Sequence, residues 1–306
     1  MLKHLLVVLE TGNIADTVLA HATGIARALG ARVTLLRLLD HPRGKNRFVD
    51  PVDWHIRKIE AEASLNKIGQ SLQKSGLQVS VSLLDSRTPE HVLHYAQSND
   101  AELMILAKPT ESVGDLVHSL MKHTTIPLLV VQPDGSALHS TTCYRSILVP
   151  LDGSQRAECT LPPAASIAEK CDAQIVLAHV VHKPEMPRRA PPSREELQLS
   201  ERIVDSNRAE AIRYLDQITS RLPGPVETRV LVSSSVTAAL HELAEQEDID
   251  LIVLSAHGYS GTPQWPYGSI TSSLMAYSRK PLLVVQDLPA AEPEQLEAMV
   301  RSGKAR

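Results

Sequence analysis

Pro127-Leu128-Leu129-Val130-Val131-Gln132 recurs, letter for letter, as Pro281-Leu282-Leu283-Val284-Val285-Gln286. One six-residue segment closing each half of a 306-residue chain points to a domain duplicated in tandem. The length fits two domains of roughly 150 residues each. A short apolar run behind a proline reads as a strand whose first residue needs no N–H partner.

Upstream of each copy the same alternation unfolds. In the first half, apolar runs at 5–9, 32–38, 79–84, 103–107 and 128–131 read as five strands. Helical stretches fall between them at 15–29, 52–75, 89–98 and 115–123. Gly30 and Gly76 stop the first two helices, and Pro89 suits the first turn of the third. In the second half, 147–151 lies 142 positions after 5–9, and 175–181 keeps that spacing against 33–39. The fourth strand, 251–254, answers 103–106 at 148 positions, and Leu274-Met275 answers Leu120-Met121 at 154. The second half therefore gains six residues in the proline-rich stretch 182–194 and six more just after its fourth strand. Strands alternating with helices predict an α/β fold, with two doubly wound, mostly parallel five-stranded sheets.

Composition excludes several classes. A net charge of -4 and 3% aromatic residues give neither the basic stripe nor the stacking platform of a nucleic-acid binder. No run of 18 or more apolar residues predicts a membrane span. Residues 1–9 read as the first strand rather than a signal peptide. Three cysteines without a C-x-x-C pair fit free thiols in a reducing cytoplasm, and no tightly bound structural metal is expected.

The six residues gained after the fourth strand lie in a glycine-rich loop. It runs from Ser255 through His257, Gly258, Gly261 and Trp265 to Gly268 and Ser269, and leads into a helix beginning at Ile270. Glycine lets backbone amides approach an anion, and a helix N-terminus offers unpaired N–H groups with partial positive charge. Gly268-Ser269 is thus a candidate phosphate seat, with the Ser269 and Thr271 hydroxyls as extra donors. A glycine-rich surface turn explains the loop equally well when the loop is taken alone.

Three motifs together are more specific. Val149-Pro150-Leu151-Asp152-Gly153-Ser154, Leu177-Ala178-His179-Val180-Val181, and the spacing Ser255-x-x-Gly258, nine residues, Gly268-Ser269 resemble universal stress protein domains. The resemblance spans both halves, so the chain resembles a tandem universal stress protein. It implies strand order 3-2-1-4-5 in each half, with the ligand crevice at the switch between strands one and four. It also implies an adenine nucleotide, ATP first and ADP or AMP as alternatives, accompanied or not by Mg. Carried over, Pro150, Asp152 and Val180 flank the adenine and ribose. Leu254, Ser255, Gly258, Gly268, Ser269, Ile270 and Thr271 line the ribose and phosphates. Ser255 stands where ATP-binding relatives have glycine, and Tyr259 stands where many carry a basic residue.

The first half departs at the same places. Glu10 replaces Asp152, six loop residues are missing, and Asp115 puts a carboxylate where Ser269 begins the second half's helix. Only Gly114 keeps its match, with Gly268. This half reads as structural, with a degenerate nucleotide loop.

Other chemistry-bearing residues have plainer explanations. His257 fits loop architecture or ligand contact better than catalysis without a partnered nucleophile. His91 and His94 lie one turn apart but lack a third metal ligand. Trp265 reads as an anchored loop tip or a nucleotide cover, and Arg188-Arg189 as a solvated loop.

The sequence thus divides into a domain at 1–138, a nucleotide-binding domain at 143–288 and a tail at 289–306. Family dimers associate through the fifth strand. The two repeated segments are therefore expected to pair with each other as a pseudo-dimer, and a homodimer of chains is a further option. The expected role is a cytoplasmic stress-response binding module, at most slowly hydrolytic. A metal-dependent ATPase and a nucleotide-free scaffold are the alternatives.

Overall fold

The computed structural model describes residues 2–10, 15–39, 51–86, 88–108, 115–132, 143–184, 193–258 and 267–287. In the first half the chain runs β1 (His4–Leu9), α1 (Ala15–Leu29), β2 (Arg32–Leu38), α2 (Pro51–Lys74) and β3 (Val79–Leu84). It continues through α3 (Pro89–Ser98), β4 (Leu103–Ala107), α4 (Asp115–His123) and β5 (Leu128–Val131). The second half holds β6 (Ser146–Pro150), α5 (Gln155–Glu158), α6 (Leu161–Cys171), β7 (Gln174–His182) and α7 (Arg194–Thr219). Then follow β8 (Val226–Ser233), α8 (Val236–Gln246), β9 (Leu251–Ser255), α9 (Ser269–Tyr277) and β10 (Leu282–Val285).

The strand order of the first half is β3-β2-β1-β4-β5, and the second half repeats it as β8-β7-β6-β9. Every neighbouring pair within these runs is parallel. The backbone N–H of Met104 donates to Pro127 O at 3.0 Å, and that of Ile252 repeats the bond to Pro281 O at 3.0 Å. Thus the proline of each repeated segment spends its carbonyl on strand four, while its missing N–H costs nothing.

All six residues of β1 and all five of β9 are buried, which requires cover on both faces of the sheet. Their unbroken runs of Leu, Val and Ile are the composition of two-sided strands, each buried side chain contributing roughly 1.5–3 kcal/mol. The α/β class and its mostly parallel sheets are therefore as the alternating pattern predicts.

Two details differ from the sequence expectation. The helix after β6 is two pieces: Ser154 caps α5, accepting from the Ala157 N–H at 3.2 Å, and α6 restarts with proline in its first turn. Cys143 and Cys171 are disulfide-bonded rather than free, and Cys159 is a half-buried thiol. The odd cysteine count does not reveal this, because pairing depends on which β-carbons the fold brings within reach.

The chain forms two compact units. One comprises Met1–Cys143 together with Leu283–Arg306, and the other comprises Tyr144–Leu282.

Candidate functional site

In the second unit β6 pairs with β7 on one side and β9 on the other, so its C-terminal end is the topological switch. A cavity of about 330 Å³ opens there. Pro150 and Asp152 reach it from the end of β6, Val180 from β7, and Leu254 and Ser255 from β9. Gly258 enters from the following loop, and Gly268, Ser269, Ile270 and Thr271 from the start of α9. All ten site residues expected from the sequence line this one space.

The β6 turn is built locally. Gly153 takes φ +85°, a conformation that glycine adopts without strain. This turn brings the Ser154 N–H and Oγ onto Asp152 Oδ1 at 3.0 and 2.6 Å. The carboxylate is thereby fixed in direction while its residue stays exposed to the cavity mouth. Gly258 closes against it. A β-carbon there would stand 2.5 Å from Asp152 Oδ2.

Three hydrogen bonds hold the roots of the β9–α9 loop together. Ser255 Oγ donates to His257 O at 2.6 Å, Gly268 N–H to Ala256 O at 2.7 Å, and Thr271 Oγ1 to Ser255 O at 2.9 Å. Serine at 255 is therefore accommodated, its hydroxyl turned into the loop as a staple. The Thr271 proton is also committed, which leaves Ser269 as the hydroxyl expected to serve a ligand. Residues 109–114 and 259–266, including Gly114, Tyr259, Gly261 and Trp265, lie outside the described residues. So do Arg188, Arg189 and the tail from 288.

The first intrahelical bond of α9 runs from the Ser272 N–H to Gly268 O at 2.9 Å. The N–H groups of Ser269, Ile270 and Thr271 thus have no partner within the helix, and the dipole adds partial positive charge beside them. His257 is 1% exposed, a loop-core residue rather than a group presented to solvent.

Sequence reasoning missed part of the wall. Val236 and Leu240, one turn apart on α8, face the cavity with Ala178 and Ala157. Helical spacing marks the first two as one stripe, but which crevice the stripe meets is set by tertiary packing. His179 was also missed, although it adjoins Val180 in the motif. Its ring stands edge-on to Tyr214, centroids 6.4 Å apart and planes at 70°. Burial holds the imidazole below the ordinary histidine range, against the opposite pull of the Leu151 backbone and the Asp152 carboxylate. Tyr214 in turn donates to Glu158 at 3.4 Å, and burial with the Glu158 charge raises its phenol.

The cavity therefore joins an apolar slot, a directed carboxylate and a row of helix N-terminal donors. That combination suits a ligand with a flat apolar part, hydroxyls and an anionic end. Among the described residues, no group of three or more His, Cys, Asp or Glu is placed to hold a metal.

Comparison with known proteins gives the same family at both halves. The model of the universal stress protein family matches residues 1–132 and again 144–286. Among curated proteins, universal stress protein MJ0577 of Methanocaldococcus jannaschii is 24% identical over 154 residues, covering 47% of this chain and 95% of that protein. The crystal structure of a universal stress protein from Archaeoglobus fulgidus aligns with a TM-score of 0.67 at 13% identity. It covers 92% of this chain and 98% of its own. A further solved universal stress protein is a complex with cAMP, 20% identical over 48% of this chain and all (100%) of its own, TM-score 0.34.

Proposed function

The chain belongs to the universal stress protein family, matched over both halves. From that premise we propose that its second half binds an adenine nucleotide. ATP is the leading ligand, with ADP or AMP as alternatives, and the protein acts as a nucleotide-dependent regulatory module of a cytoplasmic stress response. One observation carries the proposal: the ten residues singled out from sequence motifs line a single cavity at the switch point. Its volume of about 330 Å³ lies in the range of small-molecule sites.

Each part of the ligand has a matching wall. The slot of Ala178, Val180, Val236 and Leu240 takes the base, and the Asp152 carboxylate accepts from ribose hydroxyls. Phosphates meet the Ser269 hydroxyl and the first N–H groups of α9. A Mg²⁺ ion arriving with the nucleotide takes its ligands mainly from phosphate oxygens and water. No helix among the described residues is long and apolar enough to cross a membrane.

The domain limits 1–138 and 143–288 and the pairing of the repeated segments belong to the same proposal. Two facts support the pairing. Contacts assign Leu283 onward to the first compact unit, and within it Gln286 Nε2 donates to Met121 O at 3.1 Å. Dimerisation of whole chains is a separate option, checked by sedimentation.

Thermal unfolding with ATP, ADP and AMP, each with and without Mg²⁺, tests the binding. A rise in midpoint with at least one nucleotide is expected. No rise, together with no nucleotide released on heating the purified protein, would refute it. Hydrolysis above about 1 per second would move the assignment to an enzyme.

A further inference from the structure

β3 ends the strand order of the first half, with β2 as its one neighbour among the described strands, and β8 is its counterpart in the second. An outermost strand presents a row of backbone N–H and C=O groups to whatever lies beyond it, and proteins commonly blunt such edges with charge. The Val33 N–H donates to Gln78 O at 2.8 Å and the Leu39 N–H to Leu84 O at 3.0 Å. Even-numbered residues of β3 thus turn their backbone groups to β2, and Val79, Val81 and Leu83 turn theirs outward. In the second half the Ile175 N–H donates to Pro225 O and the Lys183 N–H to Ser233 O, both at 3.0 Å, so Thr228 is among the outward residues of β8.

The two halves treat this edge differently. Leu35 pairs with Val81, and its counterpart Leu177 pairs with Thr228, so Ser80, Val81 and Ser82 answer Glu227, Thr228 and Arg229. Arg229 donates through Nη1 to Thr228 O at 3.0 Å, and its guanidinium pairs with Glu227 and Glu247. β8 is therefore blunted by its own side chains. On β3, Gln73 Nε2 donates to Val79 O at 2.8 Å, but no described group bonds to the outward N–H and C=O of Val81 and Leu83. The stretch Ser80-Val81-Ser82-Leu83 carries no charge, and Val81 is 37% exposed.

We infer that β3 is a strand-pairing surface whose occupant is β3 of a second copy of this chain, joined antiparallel about Ser82. That register sets Val81 opposite the partner subunit's Leu83, and Leu83 opposite the partner subunit's Val81, each pair exchanging both N–H···O bonds. Ser82 meets the partner subunit's Ser82 as the close, non-hydrogen-bonded pair, where no charge faces its like. The same pairing of β8 would set Arg229 against the partner subunit's Arg229. The charge pattern thus admits self-pairing at one edge of the duplicated fold and bars it at the other. The inference is independent of the nucleotide site.

Sedimentation velocity on the full chain, over a series from micromolar concentrations upward, is expected to show a dimer. Ser82→Arg, which copies Arg229, should abolish it, and circular dichroism with thermal unfolding confirms that the variant is folded. Cross-linking checks the register. In a Cys159→Ser background, oxidised Ser82→Cys should run as a covalent dimer, because opposed Cα atoms about 4.5 Å apart suit a disulfide. Ser80→Cys, whose image in the partner lies out of reach, should not. A chain that stays monomeric throughout the series overturns the inference and leaves the edge to a strand from another protein. A dimer that survives Ser82→Arg, or a Ser82→Cys variant that cross-links no better than Ser80→Cys, overturns it equally.

Discussion

Asp152 lies so close to Gly258 that a β-carbon at position 258 would stand 2.5 Å from the Asp152 Oδ2 atom. The carboxylate has little room to yield, because Ser154 holds its other oxygen through two hydrogen bonds. Glycine at 258 is thus required by the neighbour it touches, and the loop meets the end of β6 through that contact.

Gly258→Ala should therefore displace Asp152 more than it unfolds the protein. The expected loss of stability is about 1 kcal/mol, typical of a local steric change, and the loss in nucleotide affinity is at least tenfold. A double-mutant cycle with Asp152→Ala checks the cause. The stability cost of Gly258→Ala should largely vanish once the carboxylate is gone.

Gly268 should behave differently. Its added β-carbon would meet Ala256 O at 3.7 Å and Gly258 N at 3.8 Å, both ordinary contacts. Gly268→Ala is expected to keep its melting temperature within about 2 °C, a shift of less than 1 kcal/mol, while the larger Gly268→Val abolishes the nucleotide-induced rise. A large loss of stability in Gly268→Ala would show that the glycine serves the fold instead.

Thr271→Val removes the donor to the Ser255 carbonyl while keeping side-chain shape. Leaving that buried acceptor unpaired should cost about 1–3 kcal/mol in urea unfolding. Ser269→Ala, at the exposed start of the same helix, should cost little stability and act on ligand affinity.

Acid should weaken the first unit through His21. This residue is 3% exposed on α1, and burial lowers its pKa to about 4 from an ordinary 6.5. The unfolded chain binds the proton first as pH falls below 6.5, so stability drops from there until the folded group titrates near 4. The expected loss is about 2 kcal/mol between pH 7 and pH 5. Denaturant unfolding at pH 7, 6 and 5, repeated with His21→Leu, checks it. The variant should show a flatter profile. His4 and His123 are shifted the same way by burial and add a residual slope.

The sequence carried most of the fold, because the duplication lets each half be read against the other. Strand cores at 5–9 and 251–254 agree with β1 and β9 since two-sided burial writes an unbroken apolar run. The break between α5 and α6 was not legible, because Thr160 tolerates helical geometry and only the Ser154 cap and following prolines mark the restart. At the site, residues on strand ends and the loop were legible from spacing. Val236 and Leu240 were not, because an α8 face is assigned to the crevice by packing across the sheet. His179 had a signal, its place beside Val180, but strand alternation puts neighbours on opposite faces and so hid it.

Under the proposed function, the contrast between Asp152 and Glu10 bears on how such a chain would report concentration. Two matched sites can titrate in concert and sharpen a response. A duplicated chain with one equipped half instead saturates hyperbolically, with a stoichiometry of one and a Hill coefficient near one per polypeptide. Occupancy would then track nucleotide level in proportion over roughly two decades around the dissociation constant, a gauge rather than a threshold.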